Sequence, residues 1–301
     1  MPRTIVCRTT ILAAFALWLG PAALGQPPAQ PAPTSGDDNV VYRLVHRLIP
    51  DPDEPPVPPP CDINSPGPDS SCFTNSPFTL PKGRSYIENA PLTIDAAGHG
   101  TPQIWSWQFL NRTAVTDSCE FRVFSQGPTV VRPLHGGDDF GGFQPLGFEL
   151  KMHLWGEKDW MFYPVLGLRT ALVTNIASRQ FQSGNQPGIS LLADHFLPGG
   201  FKLEWNAGYY GTSLANLPAG TSLPYLAVQW SLQKSLTDRL TIYSHGYYNG
   251  ENLPTLPARI VSGFGGQWAV TQRLAVYGTC NWCLEPYGSP VGGWSGFAYA
   301  Y

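Results

Sequence analysis

Phe201-Lys202-Leu203-Glu204-Trp205-Asn206-Ala207-Gly208-Tyr209 alternates without interruption: Phe201, Leu203, Trp205, Ala207 and Tyr209 take one set of positions, and Lys202, Glu204, Asn206 and Gly208 take the other. A period of two marks an extended strand, whose successive side chains leave opposite faces. One face is aromatic and aliphatic, the other ionic or small, which suits a wall with lipid on one side and a wet lumen on the other. The scheme recurs. Leu146, Phe148, Leu150, Met152 and Leu154 oppose Gly147, Glu149, Lys151 and His153. Leu226, Val228, Trp230 and Leu232 oppose Ala227, Gln229 and Ser231, and Leu240 and Ile242 oppose Arg239, Thr241, Tyr243 and His245. The last eight residues, Trp294 to Tyr301, read as a strand with aromatics on one face and small residues on the other.

Beyond Pro81 such segments are separated by short turns at 115–118, 156–159, 197–200, 235–238 and 270–272. These alternate with longer connections near 95–101, 126–142, 176–187, 211–222, 250–258 and 280–291. The alternation predicts an all-β chain forming an antiparallel transmembrane β-barrel of about 12 strands over 76–301, with periplasmic turns and extracellular loops. Pro91 and Pro164 fall inside expected strands, so a bulge or a shifted boundary is expected at each. Trp155 and Trp160 bracket one short turn, Trp230 and Trp268 point outward near two others, and Tyr301 ends at that level. Tyr209, Tyr248 and Trp294 are expected at the opposite rim, since aromatics gather at membrane interfaces.

The beginning of the chain carries a different message. Arg3 and Arg8 precede an apolar run from Ile11 to Leu19, and Ala23-Leu24-Gly25 offers small residues at a cleavage site, the pattern of a secretory signal over 1–25. Eleven of the 35 residues from Gln26 to Pro60 are proline, which prevents a packed core, so 26–75 is expected to be a disordered periplasmic leader. One island at 40–49 places Val41, Leu44, Val45, Leu48 and Ile49 at helical spacing. It reads equally as a short helix that docks on a periplasmic partner or the barrel, and as chance periodicity in a linker. Only 13% of residues are charged, against roughly 25% in soluble domains. Without Arg3 and Arg8, 16 basic residues face 21 acidic ones, so nucleic-acid binding has no electrostatic support.

Facing assignments nominate a pore lining of Glu120, Arg122, Glu149, Lys151, His153, Arg169, Lys202, Glu204, Arg239, His245, Arg259 and Arg273. Seven of these are cationic and three anionic, a surplus that favours anions unless the charges pair across strands. Export permits disulfides, and Cys61 with Cys72 and Cys280 with Cys283 would close short loops, leaving Cys119 unpaired. Ser244, His245 and Asn249 have the residue types of a barrel phospholipase, but neighbours on a strand face opposite ways, so no catalytic residue is assigned. His46, His99, His135 and His195 lack metal-ligand spacing, and Asp138 and Asp139 among Gly136, Gly137, Gly141 and Gly142 are too few for calcium. That glycine-rich stretch is expected to be a surface loop, or one folding into the barrel. No metal or cofactor is expected.

The order of local motifs adds a resemblance. Phe78-Thr79-Leu80-Pro81-Lys82-Gly83-Arg84 with Ile87-Glu88, then Ala114 to Arg122, then Gly147-Phe148-Glu149-Leu150-Lys151, and the end at Gly296-Phe297 resemble the MetA-pathway phenol-degradation or putative transporter family of outer-membrane proteins. The likeness spans roughly 76–301. Ser118-Cys119 and the proline-rich leader depart from the family pattern. Members are taken to be outer-membrane barrels, some linked to uptake of aromatic compounds, so the resemblance implies a channel or import protein. The expected function is therefore an outer-membrane channel for small solutes, aromatic or anionic, with lipid around it and no enzymatic activity. The alternative is a non-conducting structural or adhesive barrel.

Overall fold

The strands lie where alternation places them. In the computed structural model, residues 62–98, 101–134, 136–157, 162–212, 223–250, 259–285 and 289–301 are described. The signal, the helical island and the rest of the leader to residue 61 lie outside these, as do Trp160, His46, His99, His135 and Cys61. The strands are β1 (Ser85–Asp95), β2 (Gln103–Thr116), β3 (Cys119–Ser125), β4 (Pro128–Arg132), β5 (Phe140–Phe143), β6 (Gly147–Trp155) and β7 (Pro164–Val173). They continue as β8 (Gln186–Leu197), β9 (Phe201–Thr212), β10 (Leu223–Ser235), β11 (Leu240–Asn249), β12 (Arg259–Ala269), β13 (Leu274–Cys283) and β14 (Gly292–Ala300).

All neighbours are antiparallel, and β1 pairs with both β2 and β14, Tyr86 lying opposite Arg112 on one side and Ala300 on the other. The sheet is thereby closed, leaving no unpaired edge in a medium that offers no hydrogen bonds. Among the described residues fourteen strands make twelve staves, because two staves are interrupted. β3 and β4 pair in succession with the same edge of β2, and β5 and β6 pair with β4 and β3. The stretch 126–142, expected as one long connection, thus contains two strand segments. Its Gly127-Pro128 break disguised them: Gly127 takes a φ of +62°, and a Cβ there would collide with the Trp107 carbonyl. The tip around Asp138 and Asp139 is exposed and does not enter the lumen.

Both prolines sit as expected. The pairing of β1 shifts register around Pro91, and Pro164 is the first residue of β7. Leu150, Ile189, Phe201, Leu226, Ile242, Phe264, Val276 and Phe297 lie exposed on the outside, while Glu120, Lys151, Glu204 and His245 are buried inside. Trp155, Trp230, Trp268 and Tyr301 are exposed as expected. Trp294 is not. It shares the parity of Gly296, Ala298 and Ala300, and its indole Nε1 donates to the Ser70 carbonyl at 2.9 Å inside the barrel. The aromatic face of the last strand consists of Phe297, Tyr299 and Tyr301.

An inverted surface of this kind is sensitive to depth. Phe264, 59% exposed and midway along β12, is expected to lose about 2–4 kcal/mol of folding stability as Phe264→Arg. Equilibrium unfolding in phospholipid vesicles measures this; a change below about 0.5 kcal/mol would place this face away from hydrocarbon.

Candidate functional site

The lumen is occupied by the chain's own residues 62–84. At the end bearing the short turns, Ile63 N donates to Gln272 O at 2.7 Å and the Tyr86 hydroxyl donates to Asp62 O at 2.6 Å. The segment then climbs. Tyr243 donates to Ser71 O at 2.5 Å, and Phe73 N donates to His245 Nδ1 at 3.1 Å. Beyond Phe73 it crosses and descends: Thr79 Oγ1 donates to Asp117 O at 2.6 Å and Lys82 N to Asp117 Oδ1 at 2.8 Å, back at a short turn. Entry and exit are at the same end. There Ile63 and Leu80 are fully buried against Tyr86, Ala114, Ala269, Ala275, Ala298 and Ala300, so the small inward residues of the last strand make room for this segment. Residues 62–75, expected to close the leader, lie inside the barrel because their side chains match the polar wall.

The wall presents like charges to one another. Arg112 of β2 lies directly opposite Arg122 of β3, and Lys151 of β6 opposite Arg169 of β7. Such pairs repel unless anions intervene, and four carboxylates do. Glu120 accepts from Arg112 Nε at 2.7 Å and Arg122 Nε at 2.6 Å, Glu88 pairs with Arg112 at 2.9 Å, and Glu149 lies 3.5 Å from Arg122 and 3.7 Å from Arg169. The fourth is Asp69 of the inserted segment, which meets Lys151 at 2.7 Å, Arg112 at 3.4 Å and Arg122 closely. Burial pushes the Asp69 carboxyl up, but Arg112, Lys151 and Arg122 outweigh it and hold the group well below the usual carboxylate range. A lowered value adds stability above the unfolded value of about 3.9 and loses it only as pH falls through the folded one.

The opposite sign is handled likewise. Asp194 of β8 and Glu204 of β9 are directly cross-strand. Lys202 lies 2.6 Å from Glu204 and 3.7 Å from Asp194. The inserted segment adds donors: Thr74 Oγ1 to Glu204 at 2.7 Å and Ser76 Oγ to Asp194 at 3.0 Å. Asn75 and Asn206 exchange two bonds of 2.7 and 2.9 Å. Phe73 stacks on His245, centroids 4.4 Å apart, and meets Tyr247 and Trp294 edge-on at 4.8 and 5.1 Å.

Open space remains on both sides. A cavity of about 660 Å³ lies toward the short turns, lined by Asn64, Lys202, Glu204, Gln233 and Asp238 among others. Two cavities of about 510 and 480 Å³ lie toward the long connections. The inserted segment is the partition, since Asp69 and Cys72 line space on either side of it.

Of the nominated lining, Glu120, Arg122, Glu149, Lys151, Arg169, Lys202, Glu204 and His245 converge in the lumen, and His153 stacks on Phe78 at 5.4 Å. Arg239 and Arg273 are exposed in short turns, one residue before their strands begin, and Arg259 is exposed at the opposite rim beside a cavity it shares with Asp95 and Tyr247. Deep inside the barrel, therefore, the expected cationic surplus is absent among the described residues: Arg112, Arg122, Lys151, Arg169 and Lys202 are each paired. Glu88, Arg112 and Asp194 were missed. Parity with Tyr86 and Ala90 marks Glu88, but Asp194 follows Leu191-Leu192-Ala193, which hides the alternation. Ser244 is exposed and His245 buried, on opposite faces as strand geometry requires.

Cys280 and Cys283 are not joined: three residues apart on β13, they leave opposite faces. Cys72 is likewise a free, buried thiol. Burial and the nearby Glu204 push it up to about 12, which keeps it protonated and unreactive.

No protein-family model matches the chain, and no curated protein matches it significantly. Among solved structures it is similar to an outer-membrane channel from Pseudomonas putida F1, with 12% identity and a TM-score of 0.53 over 74% of this chain and 97% of that one. A structure of the NanC porin aligns at 6% identity and a TM-score of 0.48, over 72% of this chain and 98% of that one. The chain thus has the fold of an outer-membrane β-barrel. The matches bear out an outer-membrane barrel and do not confirm the MetA-pathway family in particular.

Asp69→Ala leaves Arg112, Arg122 and Lys151 short of one counter-charge and is expected to loosen the inserted segment by about 3–5 kcal/mol, the cost of breaking a buried pair. Maleimide labelling followed by peptide mapping should find Cys72 protected in the wild type and modified in the variant. Equal protection in both would show that Asp69 does not hold the segment.

Proposed function

We propose that the chain is an outer-membrane channel for small solutes, closed in its resting form by residues 62–84 inserted from the periplasmic side. The supporting observation is the character of the partition. It is held mainly by ion pairs and hydrogen bonds to a polar wall, with cavities of about 660 Å³ on one side and about 510 and 480 Å³ on the other. Wall side chains alone fill a barrel of about eight strands; with twelve, the interior keeps room on both sides of an insert whose polar partners can be exchanged for water. In this reading the short turns face the periplasm, lipid surrounds the apolar band, and the leader up to residue 61 lies in the periplasm within reach of a partner. The rim residues Arg239, Arg259 and Arg273 favour anions at the mouths of the barrel only, and aromatic uptake has no support beyond the resemblance of the sequence motifs.

Planar-bilayer recording tests the reading. The wild type is expected to conduct rarely, whereas Asp69→Ala/Phe73→Ala and a variant lacking 64–79 should open in discrete steps at least several-fold more often. If all three are silent while gel mobility shows them folded, the non-conducting structural barrel takes the place of the channel.

A further inference from the structure

The two cavities toward the long connections adjoin, sharing Phe73, Gln108, Gln126, Tyr247 and Trp294 in their linings. Their chemistry is that of amides and rings. Gln108 of β2, Gln126 beyond β3, Gln229 of β10 and Asn249 of β11 present their side chains to this space. Among the described residues these four amides hydrogen-bond to no other protein group, and Gln229 Oε1 is also shielded from solvent. The ions that line the deeper cavity are already engaged, Arg169 with Glu149 at 3.7 Å and with the Tyr210 hydroxyl, and Asp69 with its three cations, while Arg259 and Asp95 line only the outer cavity, at the rim. Ring faces complete the lining, Tyr225 standing 6.0 Å from Tyr210, and Phe73, Tyr247 and Trp294 forming the floor.

These features discriminate between solutes. A carboxylate that passes the rim into the deeper cavity gives up water and finds the cation there, Arg169, already committed, so its desolvation is uncompensated. A purely aromatic solute covers amides that it cannot pair, and each buried group left unsatisfied weakens its binding. A polyol satisfies both demands. Each amide offers donors and an acceptor in one plane, matched to neighbouring hydroxyls, and ring faces pack against C–H faces. Each cavity lies within the roughly 300–1,000 Å³ range of small-molecule sites. We propose that this vestibule binds neutral polyhydroxylated solutes of mono- to disaccharide size. The proposal rests on the reading of the lumen as a solute path, and names the solute class.

Calorimetric titration of the full chain, held in a detergent without a sugar headgroup, tests it with sucrose and maltose, with gluconate and benzoate as charged comparators. Saturable binding of at least one neutral sugar, more tightly than either anion, is expected. Gln229→Leu/Asn249→Leu should weaken it about tenfold, as the loss of two hydrogen bonds implies, without altering gel mobility or thermal unfolding. Tyr225→Ala, which leaves the four amides in place, should weaken it as well. Absence of saturable sugar binding overturns the proposal. So does tighter binding of gluconate or benzoate, or sugar affinity untouched by the amide substitutions in a folded barrel. Binding and conduction fail separately: a barrel that conducts but ignores sugars removes this inference alone, and one that binds sugars but stays silent removes only the channel.

Discussion

Repulsion between like charges on facing strands is the constraint around which the interior is organised. Arg112 faces Arg122, Lys151 faces Arg169, and Asp194 faces Glu204, each pair set by the register of the wall and none free to move away. An empty barrel would leave both signs under-compensated in a confined, weakly polarisable space, where unit charges a few ångströms apart interact by several kcal/mol. Residues 62–84 supply what each pair lacks: the Asp69 carboxylate among the cations, and the hydroxyls of Thr74 and Ser76 beside the carboxylates. Glu88 shows the reciprocity, accepting from Asp69 N at 3.2 Å, Ser70 N at 2.7 Å and Arg112. Buried ion pairs contribute little net stability but penalise misplacement severely. Their role here is to fix where the insert sits.

Two solvents act on one sheet. Outside, exposed Leu, Ile and Phe side chains require hydrocarbon, and closure between β1 and β14 removes the edge that hydrocarbon would not tolerate. Inside, the same strands carry groups that need partners. Alanines at 114, 269, 275, 298 and 300 cluster where the insert enters and leaves, and Ile63 and Leu80 fill the room they provide. The inner face is therefore shaped for two linked purposes, apolar contact at the short-turn end and charge balance in the middle.

The wall was legible in the sequence because its period is two and its outer face must be greasy; Phe201 to Tyr209 alone carries both signals. Strand number followed from the rhythm of short and long connections. Two staves broke that rhythm where Gly127-Pro128 mimics a loop, although the backbone resumes pairing immediately. The insert was not legible. Asp69 to Ser76 has no periodicity, follows a proline-rich tract, and makes its contacts with residues up to 224 positions away, through Trp294. Nine of the twelve nominated lining residues were placed in the lumen by parity alone, whereas Arg239, Arg259 and Arg273 fell at strand ends, where alternation no longer dictates direction. Trp294 shows the converse: its size suggested a membrane rim, but its register assigned it to the interior.

The hairpin course of residues 62–84 has a topological consequence. Because both limbs pass through the same mouth, no part of the segment is threaded, and the hydrogen-bonded seam of Tyr86 with Ala300 can stay intact whether the cylinder is sheathed or empty. Withdrawal would exchange ion pairs and side-chain and backbone hydrogen bonds for water and would uncover Ile63 and Leu80. Its reversal needs no guide beyond covalent tethering at Ser85, which keeps the released strap within a few nanometres of the cavity it left.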